Sequence, residues 1–205
     1  MFKFLIITVL FSLAFAAPQV DSGKTCDASG AVLPSSDMPA PSGPFKYVGL
    51  GIGTQNYTCS AAGTYASAGA VASLYDLACL IGTPKFDTIQ DTASELWTSA
   101  SSPDTVAHRA GAGAKLGEHY FIASASGISP RWDFGSKGYV VGARDAGVPA
   151  PTGPQDVDWL LLHGTEGDLA TQIYRVDTRL GQPPSSCEVG SELITVKYVS
   201  KYFFV

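Results

Sequence analysis

Charge is what this sequence has least of. Only 15% of its residues are Asp, Glu, Lys or Arg, and they sum to a net charge of −5. No basic stripe is left for a phosphate backbone or an anionic membrane surface to meet, so nucleic acid is excluded as a partner. Long apolar runs are scarce too. The longest, Phe4 to Phe15, is about a dozen residues, short of the roughly 20 that a membrane-spanning helix needs, so no membrane span is expected. The four cysteines include no CxxC pair, which argues against a zinc ribbon or a thioredoxin-type site. There is no G-x-S-x-G elbow, no HxH and no HExxH. The carboxylates Asp133, Asp156, Asp158, Glu166 and Asp177 are scattered rather than paired as glycoside hydrolysis requires.

The short apolar run fits a secretory leader. Lys3 supplies the positive start, Phe4 to Phe15 the apolar middle, and Ala14-Phe15-Ala16 a small-x-small cleavage site, so residues 1–16 are expected to be a signal peptide and the mature chain to be exported. About 189 residues then remain, enough for one domain with a sizeable core. In an oxidising compartment Cys26, Cys59, Cys79 and Cys187 form an even set and should make two disulfides. Of three possible connectivities we expect Cys26 to Cys79, which would dock the N-terminal arm, and Cys59 to Cys187, which would tie the segment around Cys59 to the loop before the last strand. Asn56-Tyr57-Thr58 is the single N-x-[ST] acceptor, and a glycan on Asn56 is expected in a secreted glycoprotein; local hydrogen bonding of an unmodified Asn56 is the alternative.

The chain divides at Phe45. Residues 17–44 form a Pro/Ser-rich arm in which Pro34, Pro39, Pro41 and Pro44 exclude regular structure, with Cys26 alone suggesting that it is tied down. Residues 45–205 read as one β domain. Phe45 to Cys59 (FKYVGLGIGTQNYTC) concentrates strand residues, three glycines spaced by one residue, the sequon and a cysteine. Counting two strands within that stretch, roughly nine are expected in all, the others at Ala70 to Leu77, Glu118 to Ser124, Pro130 to Phe134, Gly138 to Ala143, Val157 to His163, Thr171 to Asp177 and Glu192 to Val205. The last is the clearest: Ile194, Val196, Tyr198, Tyr202 and Phe204 share one face, with Thr195, Lys197 and Lys201 on the other, as in a half-buried strand. One helix is expected at 86–97, where Phe86, Ile89, Ala93, Leu96 and Trp97 recur at helical spacing and Asp87 with Gln90 resembles a capping box. Ser99 to Gly117 reads as a surface excursion. The fold class is therefore all-β, a single antiparallel β-sandwich or barrel with one short helix; a parallel sheet would need crossover helices that are absent.

Gly49-Leu50-Gly51-Ile52-Gly53 is not a dinucleotide fingerprint. Its third glycine comes one residue early and strand, not helix, follows, so the glycines are read as letting the strand bend or a neighbouring backbone approach, and no cofactor is expected. Of the histidines, His108 reads as solvated, while His119 and His163 sit on strands. The chemical possibility is that His119, Asp133 and His163 converge at one end of the domain as an acid/base set, or His119 and His163 as metal ligands; satisfied strand histidines are the alternative. The aromatics Trp132, Trp159, Tyr174, Tyr198 and Tyr202 either stack on sugars or fill the core.

At LGIGTQNYTC, GAVASLYDLAC, LGEHYF, WDF, DWLLL, YRVDTRLGQPPSSC and the closing VKYVSKYFFV, the chain resembles a family of secreted, mostly fungal proteins with bacterial relatives, catalogued as a domain of unknown function. The resemblance spans nearly all of the mature chain. Leu180 stands where that family usually has the first glycine of a pair, and Tyr202-Phe203-Phe204 replaces a Tyr-Trp-Phe-like ending. Members are often labelled malate dehydrogenase, an activity that no dinucleotide-binding pattern here supports. The resemblance implies secretion and a β-rich fold and supplies no catalytic residues.

Two classes of function follow. One is a noncatalytic extracellular or cell-wall-associated protein with carbohydrate as a candidate ligand, which exposed aromatics in a row on one sheet face would favour. The other is a small secreted enzyme using His119, Asp133 and His163, which a concave pocket joining them would favour. In either case the C-terminal strand is central, so deleting about a dozen C-terminal residues is expected to abolish soluble secretion; a truncated protein secreted with an unchanged melting temperature would overturn that role.

Overall fold

A computed structural model describes residues 26–125 and 127–205. The expected signal peptide, residues 1–16, lies outside the described residues. Eight strands run in chain order: β1 Tyr47–Cys59, β2 Tyr65–Asp76, β3 Lys115–Ser124, β4 Gly127–Asp133, β5 Tyr139–Val148, β6 Trp159–Gly167, β7 Gln172–Leu180 and β8 Ile194–Phe204. Each pairs antiparallel with the next, and β8 returns to pair with β1, closing a barrel. Closure leaves no open sheet edge. The all-β reading therefore resolves as a barrel rather than a sandwich.

Among the described residues there are two α-helices rather than one. α1, Pro84–Ser99, starts three residues before the expected capping box, because Thr83 accepts from the Phe86 amide and Pro84 opens the first turn. The Gln90 side chain instead donates to the Asp87 carbonyl at 2.8 Å. α2, Pro103–Ala110, interrupts the expected surface excursion. It carries its own punctuation: the Ser102 side chain caps it, Pro103 follows, and Gly111 ends it in a left-handed conformation (φ 75°).

Strand alternation sorts side chains into two cores. Inside the barrel, Leu74, Trp132, Phe134, Val140, Leu162, Ile173, Tyr202 and Phe204 form one cluster and Ala70, Ala72, Val157 and Tyr198 another. Outside, the opposite faces of β1, β2, β6, β7 and β8 present Leu50, Ile52, Trp159, Tyr174, Val199 and Phe203 to α1, α2 and the N-terminal arm. The last strand is thus buried on both faces, not half-buried as its alternation suggested. Lys201, on its outer face, is 1% exposed and pairs with Asp177 at 2.9 Å beside the Phe86 ring. Lys197, also outward, donates to the carbonyls of Trp97, Thr98 and Ala100 and so closes the C-terminus of α1.

The arm is held by more than Cys26. Ala28, Ala31 and Met38 are buried in the outer cluster, the Tyr174 hydroxyl donates to the Pro39 carbonyl, and Ser42 donates to the Gln172 side chain. The disulfides are Cys26–Cys79 and Cys59–Cys187. With sequence separations of 53 and 128 residues, the chain-entropy model assigns them about 4 and about 5 kcal/mol. Leu180 adopts φ 61° beside Gly181 at φ 96°, a left-handed backbone that costs a leucine about 1 kcal/mol and a glycine little.

The β1 glycines face inward, where β8 stacks its tyrosines. A Cβ on Gly51 would lie 2.6 Å from the Tyr202 ring, and one on Gly53 would collide with the Val71 carbonyl and Ala72. Gly53→Ala is therefore expected to destabilise by about 1–3 kcal/mol or more, seen as a lowered melting temperature, whereas Gly30→Ala, with nothing within 4 Å, leaves it unchanged.

Candidate functional site

The barrel interior is not filled to both ends. Near the end where Tyr47, Phe134 and Phe204 pack, aromatic side chains plug it. Toward the β3–β4 hairpin the plug stops, and a cavity of about 290 Å³ opens. Its wall is mainly apolar, from Phe121 of β3, Ile128 and Trp132 of β4, and Leu160 and Leu162 of β6. Gly142 of β5 helps make the space, since a Cβ there would lie 3.0 Å from the Trp132 ring. Five residues with polar side chains also line it: His119, Ser129, Arg144, Arg175 and Tyr202.

His119 is buried, 2% exposed. It pairs across the β3–β4 ladder with Trp132 and stacks on its indole, with ring centroids 4.5 Å apart. Its Nδ1 is 3.0 Å from the Arg131 carbonyl. A carbonyl can only accept, so Nδ1 carries the proton and Nε2 remains a hydrogen-bond acceptor. Burial pushes the His119 pKa down to about 4, partly opposed by that hydrogen bond. The ring is neutral at physiological pH. Trp132, which lines the cavity, has a buried indole N–H without a hydrogen-bond partner among the described residues. Arg175 donates from Nε and Nη2 to the Asp158 carbonyl at 3.2 and 2.8 Å, which holds its guanidinium at the wall. The Tyr202 and Tyr198 hydroxyls hydrogen-bond each other at 3.0 Å.

The three expected site residues are not gathered. His119 faces into the barrel. Asp133, one residue beyond inward-facing Trp132, points outward, where Arg131 donates to it at 2.9 Å and the Gly135 amide at 3.0 Å. Those bonds, the amide first, hold the Asp133 carboxyl below its usual pKa. His163 also points outward, half-exposed, with Nδ1 2.6 Å from Asp145. The barrel wall therefore separates His119 from the other two, and neither the acid/base set nor the His119–His163 metal pair is assembled. No group of three or more His, Cys, Asp or Glu suited to a metal occurs among the described residues. His108 is exposed on α2, as its setting suggested. Asn56 lies half-buried on β1, and its side-chain oxygen accepts from Thr54 at 3.3 Å.

Arg144 and Arg175 carried no motif in the sequence. The available signal was parity: Arg175 shares the inward face of β7 with Ile173, but Tyr174 and Val176 on the other face are equally buried and conceal the alternation.

Residues 39–205 match the model of a family described as protein of unknown function (DUF3455). The chain belongs to that family. No curated protein and no solved structure matches it. In this family member the matched region begins inside the arm, at the residue whose carbonyl receives the Tyr174 hydroxyl, and includes every strand of the barrel and the whole cavity wall. No helix among the described residues is long and apolar enough to cross a membrane.

His119 makes folding of this family member pH-dependent. An unfolded histidine binds a proton near pH 6.5, whereas the folded one does not until about pH 4. The contribution is fully present above pH 6.5 and lost as pH falls toward 4, up to about 3 kcal/mol. Chemical denaturation of His119→Gln beside the parent across this window should show a smaller loss for the variant; equal slopes would refute the buried neutral histidine.

Proposed function

We propose that this is an extracellular, noncatalytic binding protein whose ligand, a small and mainly apolar molecule, enters the open end of the barrel. The observation that carries the reading is the cavity itself. Ligand sites favour barrel mouths, and they combine an apolar wall with a few fixed polar groups. Here Phe121, Trp132, Leu160 and Leu162 supply the wall, and the anchored Arg175 and the neutral His119 the polar groups. At about 290 Å³ the space lies near the lower end of the usual range, which suits a small molecule.

Secretion is supported by the leader-like N-terminus and is consistent with the two disulfides. Carbohydrate is a poorer fit as ligand. The exposed large hydrophobic side chains among the described residues are Val32, Val71, Ile128, Val189 and Leu193, with no aromatic among them. Tyr120 and Tyr139, on strands that α1 and α2 leave uncovered, are half-buried and tied to the Arg131–Asp133 pair. A glycan on Asn56, on the outer face of β1, would not obstruct the cavity.

N-phenyl-1-naphthylamine, a neutral apolar fluorophore, tests this directly. It is expected to bind saturably at one site with enhanced emission, and Ile128→Asp, a change at a 47% exposed rim position, should weaken binding about tenfold by placing a charge against the apolar entrance. Binding that Ile128→Asp leaves unchanged would move the site elsewhere.

A further inference from the structure

The cavity carries positive charge that the protein does not neutralise. Arg144 and Arg175 line it, and no Asp or Glu does. Elsewhere Lys115, Arg131, Arg179 and Lys201 each form an ion pair with an acidic side chain, but among the described residues neither Arg144 nor Arg175 has one. The acid next to Arg144 in sequence, Asp145, is engaged by His163 outside the barrel. Arg175 is held only by a neutral carbonyl, that of Asp158. In a chain of net charge −5 this is a local reversal of sign, at the one place where an apolar wall narrows into the barrel. A half-buried guanidinium without a counterion is costly, and an arriving anion would relieve that cost.

We infer that the ligand is an anionic amphiphile, with a carboxylate-type head at Arg175 and Arg144 and a single apolar chain packed against Phe121, Trp132, Leu160 and Leu162. This rests on the cavity being the binding site and adds the chemistry that it selects. The planar fork of a guanidinium accepts a carboxylate through two parallel hydrogen bonds, and Arg175 is already oriented by the Asp158 carbonyl. His119 sets the polarity of the other end. Its Nε2 acceptor would repel a carboxylate, and its ring stacks with Trp132 as part of the deep wall, so the head belongs at the arginines and the chain in the depth.

Decanoate and decanol, equal in chain and differing in charge, separate the inference from the reading beneath it. Displacement of bound N-phenyl-1-naphthylamine should show decanoate binding at least about tenfold tighter than decanol. Arg175→Gln and Arg144→Gln should each remove most of that advantage. Arg144 is exposed and makes no ion pair among the described residues, so its variant and a weakening of decanoate binding by added salt serve even if Arg175→Gln fails to fold. Equal binding of the two compounds, or decanoate binding indifferent to Arg144→Gln and to salt, overturns the anionic head while leaving the cavity as a binding site. Failure of the fluorophore and both compounds to bind overturns the cavity reading as well.

Discussion

An eight-stranded barrel has an interior only just wide enough for side chains to fill, and the rest of this structure depends on how that small volume is shared between β1 and β8. The two strands close the barrel, with Gly49, Gly51 and Gly53 of β1 opposite Tyr202, Ser200 and Tyr198 of β8. Both strands cannot place bulk at this seam. Glycine on one side lets the Tyr202 ring lie over the β1 backbone, and on the far side of β1 it lets β2 approach at Gly53. The plugged end and the open end both follow. Tyr202 and Phe204 lock against Trp132 and Phe134, and beside Trp132 the missing side chain of Gly142 leaves part of the space that the cavity occupies.

The outer layer solves a different problem. β1, β6, β7 and β8 carry apolar residues on both faces, so the barrel alone would expose Leu50, Ile52, Trp159, Leu161 and Phe203 to water. α1, α2 and the arm cover them. The covering is fastened at specific points: the Cys26–Cys79 disulfide at the arm, the Trp97 indole donating to the Gly53 carbonyl at 2.8 Å, and Lys197 on the end of α1. Burying Lys201 beneath this layer is tolerable because Asp177 accepts its charge; removing that carboxylate alone would leave a buried cation, a loss of about 3–5 kcal/mol by analogy with other buried pairs. β3 and β4 contribute no residue to this outer cluster.

The candidate site shows where sequence patterns lose their meaning. His119, Asp133 and His163 all lie on strands, which made convergence plausible, but a strand sends successive residues to opposite faces. Glu118 pairs with Asp133, and His119 with Trp132, so a single residue of register puts His119 inside and Asp133 outside. Arg144 and Arg175 came from two strands of ordinary composition. Their significance lies in facing the same space without an acid, a property of the closed barrel and not of either segment.

Local chemistry in the sequence was sufficient for the β class, the approximate strands and α1, because alternation, turn residues and helical spacing act over a few neighbours. It contained α2 as well, in Ser102, Pro103 and Gly111, although a helix that buries only Val106, Ala107 and Ala110 gave too little apolar periodicity to mark it. Tertiary structure alone decided that the sheet closes, that the last strand is buried on both sides, and which histidine meets a cavity. These are decisions about which face of each strand turns inward and what covers the other. They depend on pairings between residues as distant as Gly51 and Ser200, and no local pattern carries that information.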